Sequence, residues 1–257
     1  MQIKDYPLIT ALSDDDLLLV QTANDSAYKC ITKANLFSGY SSTGGSTPTT
    51  PPTATDYPTG MKLWLEGGSL LDKSGNANHA TPVGSSSPTV ITSTSGKPAL
   101  KWNGSGTQEL QVTPFLQGTN GATLYCVFTA SDGNYNLART SGLDDYWRFV
   151  SGPGYFGTFR GGRIDNYPAV MPNSGSHLIS VHAETGYYEV MLDNVSQGTQ
   201  VGTFTPGDRF RIGTNDKAFG GDISLLLVYP NFIGKTFKDH LDCISAIKSK
   251  YPTLTIS

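Results

Sequence analysis

The run Tyr40-Ser-Ser-Thr-Gly-Gly-Ser-Thr-Pro-Thr-Thr-Pro-Pro-Thr-Ala-Thr55 divides the chain. Ser, Thr, Gly and Pro bury too little apolar area to offset the entropy of ordering their backbone, so such a stretch links bodies and does not join a core. Taking 40–59 as a flexible linker leaves a front segment, 1–39, and a rear segment, 60–257. The front segment is too short to enclose a core and is expected to be completed by other chains, whereas the rear segment has the length of a full domain.

Charged residues make up 15% of the chain, against roughly 25% in ordinary domains. Few charges with abundant Gly, Thr, Ser and aromatic residues point to an all-β domain on a particle or outside a cell. A net charge of −3 with no Lys/Arg block gives no footprint for nucleic acid. No apolar run approaches the roughly 18 residues of a membrane span, so no membrane insertion is expected. Met1-Gln-Ile-Lys-Asp-Tyr-Pro7 has no apolar core of a signal peptide, and export by that route is not expected. Cys30, Cys126 and Cys243 are odd in number and widely spaced, which reads as buried, reduced thiols.

In the front segment, Leu17-Leu-Leu-Val-Gln21 and Tyr28-Lys-Cys-Ile-Thr32 flank an Asn24-Asp25 turn signal and predict a hairpin. Leu17, Leu18, Leu19 and Val20, with Ile31 opposite, make both faces apolar. A lone hairpin cannot cover them, so these residues are the candidates for self-association and attachment.

In the rear segment, strand-like runs recur between turn clusters: 61–65, 99–102, 109–112, 122–129, 146–150, 155–159, 178–183, 187–192, 200–204, 209–212 and 221–229. In the run 122–129, Leu124, Cys126 and Phe128 share one face and Tyr125 and Val127 the other. Thr185-Gly186 and Asp193-Asn194 are turn pairs that predict an antiparallel meander. Near the end, Phe237, Leu241, Ile244, Ile247 and Tyr251 fall on one helical face. Thr236 and Asp239 fit a capping box, and Pro252 stops the helix. The fold read from this pattern is all-β: an antiparallel jelly-roll sandwich with one C-terminal helix, preceded by a small β-hairpin anchor and a linker.

Several segments, in order, resemble the laminin-G-like, concanavalin A-type jelly rolls. They are Leu63-Trp-Leu-Glu-Gly67 with Leu71-Asp-Lys-Ser-Gly-Asn-Ala-Asn-His-Ala80, then Pro98-Ala-Leu-Lys-Trp-Asn-Gly104 and Tyr187-Tyr-Glu-Val-Met-Leu-Asp-Asn194. Phe210-Arg-Ile-Gly213 and Phe219-Gly-Gly-Asp-Ile-Ser-Leu-Leu-Leu-Val-Tyr229 complete the series. The front segment resembles the short attachment modules of bacteriophage tail-fibre and other virion proteins, through Leu12-Ser-Asp-Asp-Asp-Leu-Leu-Leu-Val20 and Tyr28-Lys-Cys-Ile-Thr32. Together these resemblances imply a virion location and a fibre or appendage role. They imply attachment to other virion proteins through 1–39, assembly as a homotrimer, and host surface carbohydrate as the partner of the jelly roll. The competing expectation is a head decoration protein whose jelly roll binds no sugar.

Sugars are gripped by aromatic faces, with carboxylates, amides and guanidinium groups taking the hydroxyls. The segment 144–167 supplies that set in Tyr146, Trp147, Arg148, Tyr155, Arg160, Arg163, Asp165 and Asn166. The same aromatics also fit a structural reading, because alternate strand residues must point inward. Catalysis is not expected: glycoside hydrolysis needs two facing carboxylates, and Glu189 with Asp193 is the nearest approach, with Asp193 in a turn. The histidines 79, 177, 182 and 240 read as scattered structural residues. No cofactor is required, although Asp72, Asn76 and Asn78 are oxygen donors of the type that binds Ca²⁺. The alternative for that loop is an Asx turn bonding its own backbone.

Overall fold

A computed structural model of the protein describes residues 17–21, 28–32, 57–83, 85–105, 107–130, 135–140, 150–152, 155–160, 163–167, 175–201, 209–213 and 219–256. For the strands between 17 and 32 and for most of 135–167, that description covers the backbone path. The chain forms two compact units, Met1–Pro51 and Pro52–Ser257.

The first unit contains β1 (Leu17–Gln21) and β2 (Tyr28–Thr32), an antiparallel pair in which Leu18 faces Ile31 and Leu19 faces Cys30. Directly opposed residues share a face. Leu18, Val20 and Ile31 therefore lie on one side, and Leu17, Leu19, Cys30 and Tyr28 on the other. The predicted turn at Asn24-Asp25 lies outside the described residues.

The second unit contains β3 (Leu63–Glu66), β4 (Thr81–Pro82), β5 (Thr89–Thr92), β6 (Pro98–Asn103), β7 (Leu110–Val112), β8 (Gly121–Ala130), β9 (Tyr135–Asn136) and β10 (Ala138–Thr140). There follow β11 (Val150–Gly152), β12 (Tyr155–Arg160), β13 (Arg163–Tyr167), β14 (His177–Glu184), β15 (Tyr187–Leu192), β16 (Val195–Gln200), β17 (Phe210–Ile212), β18 (Gly220–Tyr229) and the helix α1 (Lys238–Lys250). The main sheet runs β16-β15-β14-β8-β18-β6-β5, with β3 pairing β18 beyond β6. A second sheet runs β10-β17-β7-β4 and a third β13-β12-β11-β9. All the strand pairs among the described residues are antiparallel. This is the expected antiparallel β-sandwich.

The main sheet is buried on both faces, and the alternation in β8 shows how. Leu124, Cys126 and Phe128 pack into a core closed by the second sheet through Leu110, Val112, Phe210 and Ile212. Tyr125 and Val127 join a separate core with Ile244, Ile247 and Tyr251. In β18 a bulge between Ile223 and Leu225 shifts the phase, so Ile223, Leu226 and Val228 face the first core and Leu225, Leu227 and Tyr229 the second. The antiparallel meander β14-β15-β16 forms with its turns where they were read, and positive φ at Asp193 and Asn194 matches a two-residue I′ hairpin.

Several expectations are corrected. Tyr57 and Pro58, within the stretch read as linker, belong to the packed unit: the Tyr57 side chain is buried, and the Pro58 carbonyl accepts from the Tyr229 hydroxyl at 3.0 Å. Phe237 occupies the N-cap with no side-chain cap, so the Thr236/Asp239 capping box is not made. The buried face of α1 is rotated from the expected one. Phe237 and Leu241 are 53% and 55% exposed, and His240, Cys243 and Ala246 are inside with Ile244 and Ile247. The strand expected at 200–204 lies at 195–200 instead, because the I′ turn starts β16 immediately after Asn194; 202–204 lie outside the described residues. Strands β4, β5, β9, β10 and β13 had no counterpart in the sequence reading; β4, β9 and β10 are two or three residues long and show too little alternation to be recognised. Cys126 and Cys243 are buried and free, as expected.

Gly213 illustrates how closely the first core is packed. It has φ +67°, and a Cβ built there would lie 2.1 Å from Trp102 Nε1, a ring that is 2% exposed. Both the left-handed backbone and the indole exclude a side chain. Gly213→Ala is expected to lower stability by about 2 kcal/mol or more, measured by thermal or urea unfolding.

Candidate functional site

The segment singled out for ligand binding divides across the description. Tyr146, Trp147 and Arg148 lie outside the described residues. Tyr155, Arg160, Arg163, Asp165 and Asn166 fall on β12 and β13, an antiparallel hairpin in the third sheet. Its register pairs Phe156 with Tyr167, Thr158 with Asp165, and Arg160 with Arg163. Opposed residues share a face, so these six positions line one side. Tyr155, Gly157, Phe159, Ile164 and Asn166 fall on the other, together with Val150 of β11. A single surface of this hairpin thus includes Arg160, Arg163 and Asp165 but not Tyr155 or Asn166.

The oxygen-rich loop after β3 is a self-bonded turn. The Asp72 Oδ1 atom accepts from the backbone N–H groups of Trp64 and Ser74, both at 2.9 Å. Its Oδ2 accepts from the Ser74 hydroxyl at 2.8 Å and the Asn78 N–H at 2.9 Å. Burial alone would raise the Asp72 pKa, but the bonds from Ser74, Trp64 and Asn78 outweigh it and hold the carboxyl below its ordinary value. The Asn76 amide donates to the Met61 carbonyl at 2.9 Å and the Asn78 amide to the Lys62 carbonyl at 2.7 Å. The three residues therefore staple the loop to the start of β3. Among the described residues no group of His, Cys, Asp and Glu has metal-site geometry.

Glu189 and Asp193, the pair weighed for catalysis, are each committed elsewhere. Asp193 closes the meander turn, accepting from Leu178 N–H at 2.9 Å and pairing with His177 Nδ1 at 2.8 Å. Glu189 is buried; its Oε1 accepts from Ser196 Oγ at 2.6 Å and Lys235 Nζ at 3.1 Å, and its Oε2 from the Tyr187 hydroxyl at 2.9 Å. Burial pushes the Glu189 pKa up, yet the bonds from Ser196, Tyr187 and Lys235 bring it below the ordinary value. The carboxylate stays ionised and fixes its neighbours.

Beside Glu189 lies a polar cluster that scattered histidines gave no reason to expect. His182 on β14 is directly opposite Glu189 on β15, and α1 brings His240 down so that the two imidazole centroids are 5.1 Å apart. His182 Nδ1 bonds the Ile233 carbonyl, which can only accept, and its Nε2 bonds the Ser180 hydroxyl at 3.0 Å. His240 Nε2 donates to Asn194 Oδ1 at 3.0 Å, leaving Nδ1 to accept from the Tyr125 hydroxyl at 3.0 Å. Burial disfavours the charged form of each ring, so both are neutral, with His182 Nε2 and His240 Nδ1 the accepting nitrogens. Burial lowers both pKa values, and His182 adds to the fall at His240, which reaches about 4. The sequence signal was the interruption of an apolar strand by Ser180 and His182, two apart and hence on one face.

A second cluster joins the two ends of the domain. Trp64 Nε1 donates to Glu66 Oε2 at 3.1 Å, and Lys250 of α1 sits 4.2 Å from the Tyr57 ring centroid and 4.9 Å from that of Trp64. Glu66 also pairs with Lys250 at 3.7 Å and Lys73 at 3.6 Å. The protein's own lysines occupy these rings, a structural cation–π arrangement.

No protein-family model matches the chain, and no curated protein matches its sequence. Solved structures do match its fold. Domain 4 of AbnA, a GH43 extracellular arabinanase from Geobacillus stearothermophilus, solved in complex with arabinotriose, has a TM-score of 0.61 at 15% identity over 72% of this chain and 98% of that domain. The binding domain of botulinum neurotoxin serotype D has a TM-score of 0.54 at 11% identity, over 71% of this chain and 51% of that one. The binding domain of botulinum neurotoxin DC, in complex with SialylT, has a TM-score of 0.55 at 9% identity with the same coverage. The chain thus spans nearly all of the arabinanase domain and about half of the neurotoxin domains. At these identities the likeness establishes the jelly-roll fold. Among the described residues no helix is long and apolar enough to cross a membrane.

The histidine pair gives the fold a defined acid sensitivity. Unfolded histidine titrates near about 6.5. Between there and about pH 4 the unfolded chain binds protons that folded His240 refuses, so stability falls as pH falls, by up to ~1.4 kcal/mol per pH unit for each histidine. Thermal melts from pH 7 to 5 are expected to show this slope, and His240→Gln is expected to make it shallower.

Proposed function

We propose that this protein is a bacteriophage fibre or appendage subunit whose jelly roll binds host surface glycan without cleaving it. Residues 1–39 would attach it to other virion proteins, most simply as a homotrimer, and the Ser/Thr/Pro/Gly stretch from residue 40 would carry the jelly roll outward. The observation that carries the binding half is the face of β12–β13 on which Phe156, Arg160, Arg163, Asp165 and Tyr167 are gathered. Aromatic and hydroxyl-bonding residue types on one side of a hairpin are the chemistry of sugar recognition. The fold supports it, since structures of this architecture were solved with arabinotriose and with SialylT. A non-catalytic role is supported by Glu189 and Asp193, whose carboxylate oxygens are engaged in holding the meander and its neighbours.

Arg163→Ala and Asp165→Ala are each expected to weaken adsorption to host cells about tenfold or more, the loss for a charge-assisted hydrogen bond of 1.5–3 kcal/mol, with melting unchanged. Full adsorption by both variants would return this hairpin to a structural role.

The attachment half rests on β1–β2, where Leu18, Val20 and Ile31 share one face and Leu17 and Leu19 the other. Each buried aliphatic side chain is worth roughly 1.5–3 kcal/mol. Leu18→Asp is expected to abolish incorporation into particles, assayed by immunoblotting of purified virions. Incorporation at normal copy number would show that attachment lies elsewhere, and recovery on the head with no glycan bound would identify a decoration protein.

A further inference from the structure

Phe237 and Leu241 carry the apolar periodicity of α1, yet the fold turns His240 and Cys243 inward and leaves these two about half exposed. Phe237 continues a row of rings on the surface, with Leu241 one helical turn beyond it. Phe232 meets Phe237 edge to face at 6.2 Å and 84°, and Tyr187 meets Phe232 edge to face at 5.5 Å and 89°. Gly234 sits between the rings: a Cβ there would lie 3.3 Å from Phe232 and 3.4 Å from Phe237. Tyr187 and Phe232 are themselves half-buried.

The polar groups beside this row are held in place from below. Buried Glu189 accepts from the Tyr187 hydroxyl at 2.9 Å and from Lys235 Nζ at 3.1 Å. With its proton directed at Glu189, the Tyr187 oxygen retains lone pairs for an outside donor. Lys235 has three N–H groups and is half exposed, so it keeps donors for a ligand after bonding Glu189. We propose that Tyr187, Phe232, Phe237 and Leu241 form a second saccharide-binding surface, with the Tyr187 hydroxyl and Lys235 ammonium taking sugar hydroxyls.

The occupant follows from size and charge. Aromatic side chains present about 150–250 Å² each when fully accessible. Four partly buried residues therefore fall well short of the ~800 Å² per partner of a stable protein interface, but match one or two sugar rings. The C–H groups of a sugar ring carry partial positive charge, which the negative face of an aromatic ring attracts. Lys235 is paired with Glu189 and Lys238 with Asp242, so the surface has no surplus charge for an anion. The ligand class is a neutral saccharide. This inference shares only its ligand class with the reading above and lies on α1 and β15, not on β12–β13.

The test is a glycan array of neutral and acidic oligosaccharides probed with the full chain, followed by titration of the best neutral oligosaccharide. Phe237→Ala is expected to weaken binding about tenfold or more, with melting changed little because the ring is already half exposed. Tyr187→Phe, which keeps the ring and removes the hydroxyl, is expected to give a smaller loss and serves if Phe237→Ala fails to fold. Loss in these variants with Arg163→Ala unaffected would support this surface and remove the hairpin as the binding site. Loss in Arg163→Ala alone would overturn this inference and leave the hairpin reading standing. Retention of acidic glycans only, or of no glycan, would also overturn it. So would a concentration-dependent dimer in sedimentation that Leu241→Asp abolishes, since the surface would then meet another copy.

Discussion

The second unit depends on the pairing of β8 between β14 and β18, in a sheet buried on both faces. Such a strand cannot place polar residues on a solvent side. Each of its side chains must find an apolar neighbour or a fixed hydrogen bond. From Ala122 to Phe128 every residue of β8 is buried, and its polar members are all bonded: Thr123 Oγ1 donates to the Asn231 carbonyl and accepts from Ile233 N–H, and Tyr125 donates to His240. These bonds tie the segment after β18, and α1 beyond it, to the sheet.

The same constraint explains where ligand chemistry can sit. Among the described residues, one face of the main sheet packs on the second sheet and the other on α1, so the side chains of its central strands are spent on two cores and the accessible groups lie elsewhere, as at the start of α1. The polar groups trapped under α1, including His182, Ser180 and Glu189, arrange their neighbours and do not meet solvent themselves. Glu189 shows this most clearly, since it is inaccessible yet orients Tyr187 and Lys235, which are accessible.

How much was legible in the sequence varies by element for physical reasons. The strands β8, β14 and β15 and the turn pairs of the meander were read correctly because alternation over six or more residues and two-residue turn pairs are strong local signals, whereas its third strand was placed several residues too late. The helix was found, but its buried face was misassigned. Apolar periodicity favoured Phe237 and Leu241, while the sheet beneath offered Tyr125 and Asn194 as hydrogen-bond partners for His240. The loop at Asp72 carried residues that suit either an ion or an Asx turn, and only the approach of Trp64 N–H and the Lys62 carbonyl decides for the turn. The segment 144–167 was singled out by composition as one ligand surface, but composition gives no register, and a strand's register determines which of Arg160, Arg163, Asp165, Tyr155 and Asn166 lie together.

The sequence alone determined that the chain is β-rich, that a Ser/Thr/Pro/Gly stretch interrupts it, and that one amphipathic helix follows the last strand. These are consequences of side-chain period and backbone entropy, which act over a few residues. The tertiary structure decided which face of α1 is inside, that His182 and His240 meet across residues 58 apart in the chain, and that Tyr187, Phe232 and Phe237 align in one row. Those are contacts between distant segments, fixed by the order of strands in the sheet and by the bulge in β18, and no local pattern encodes them.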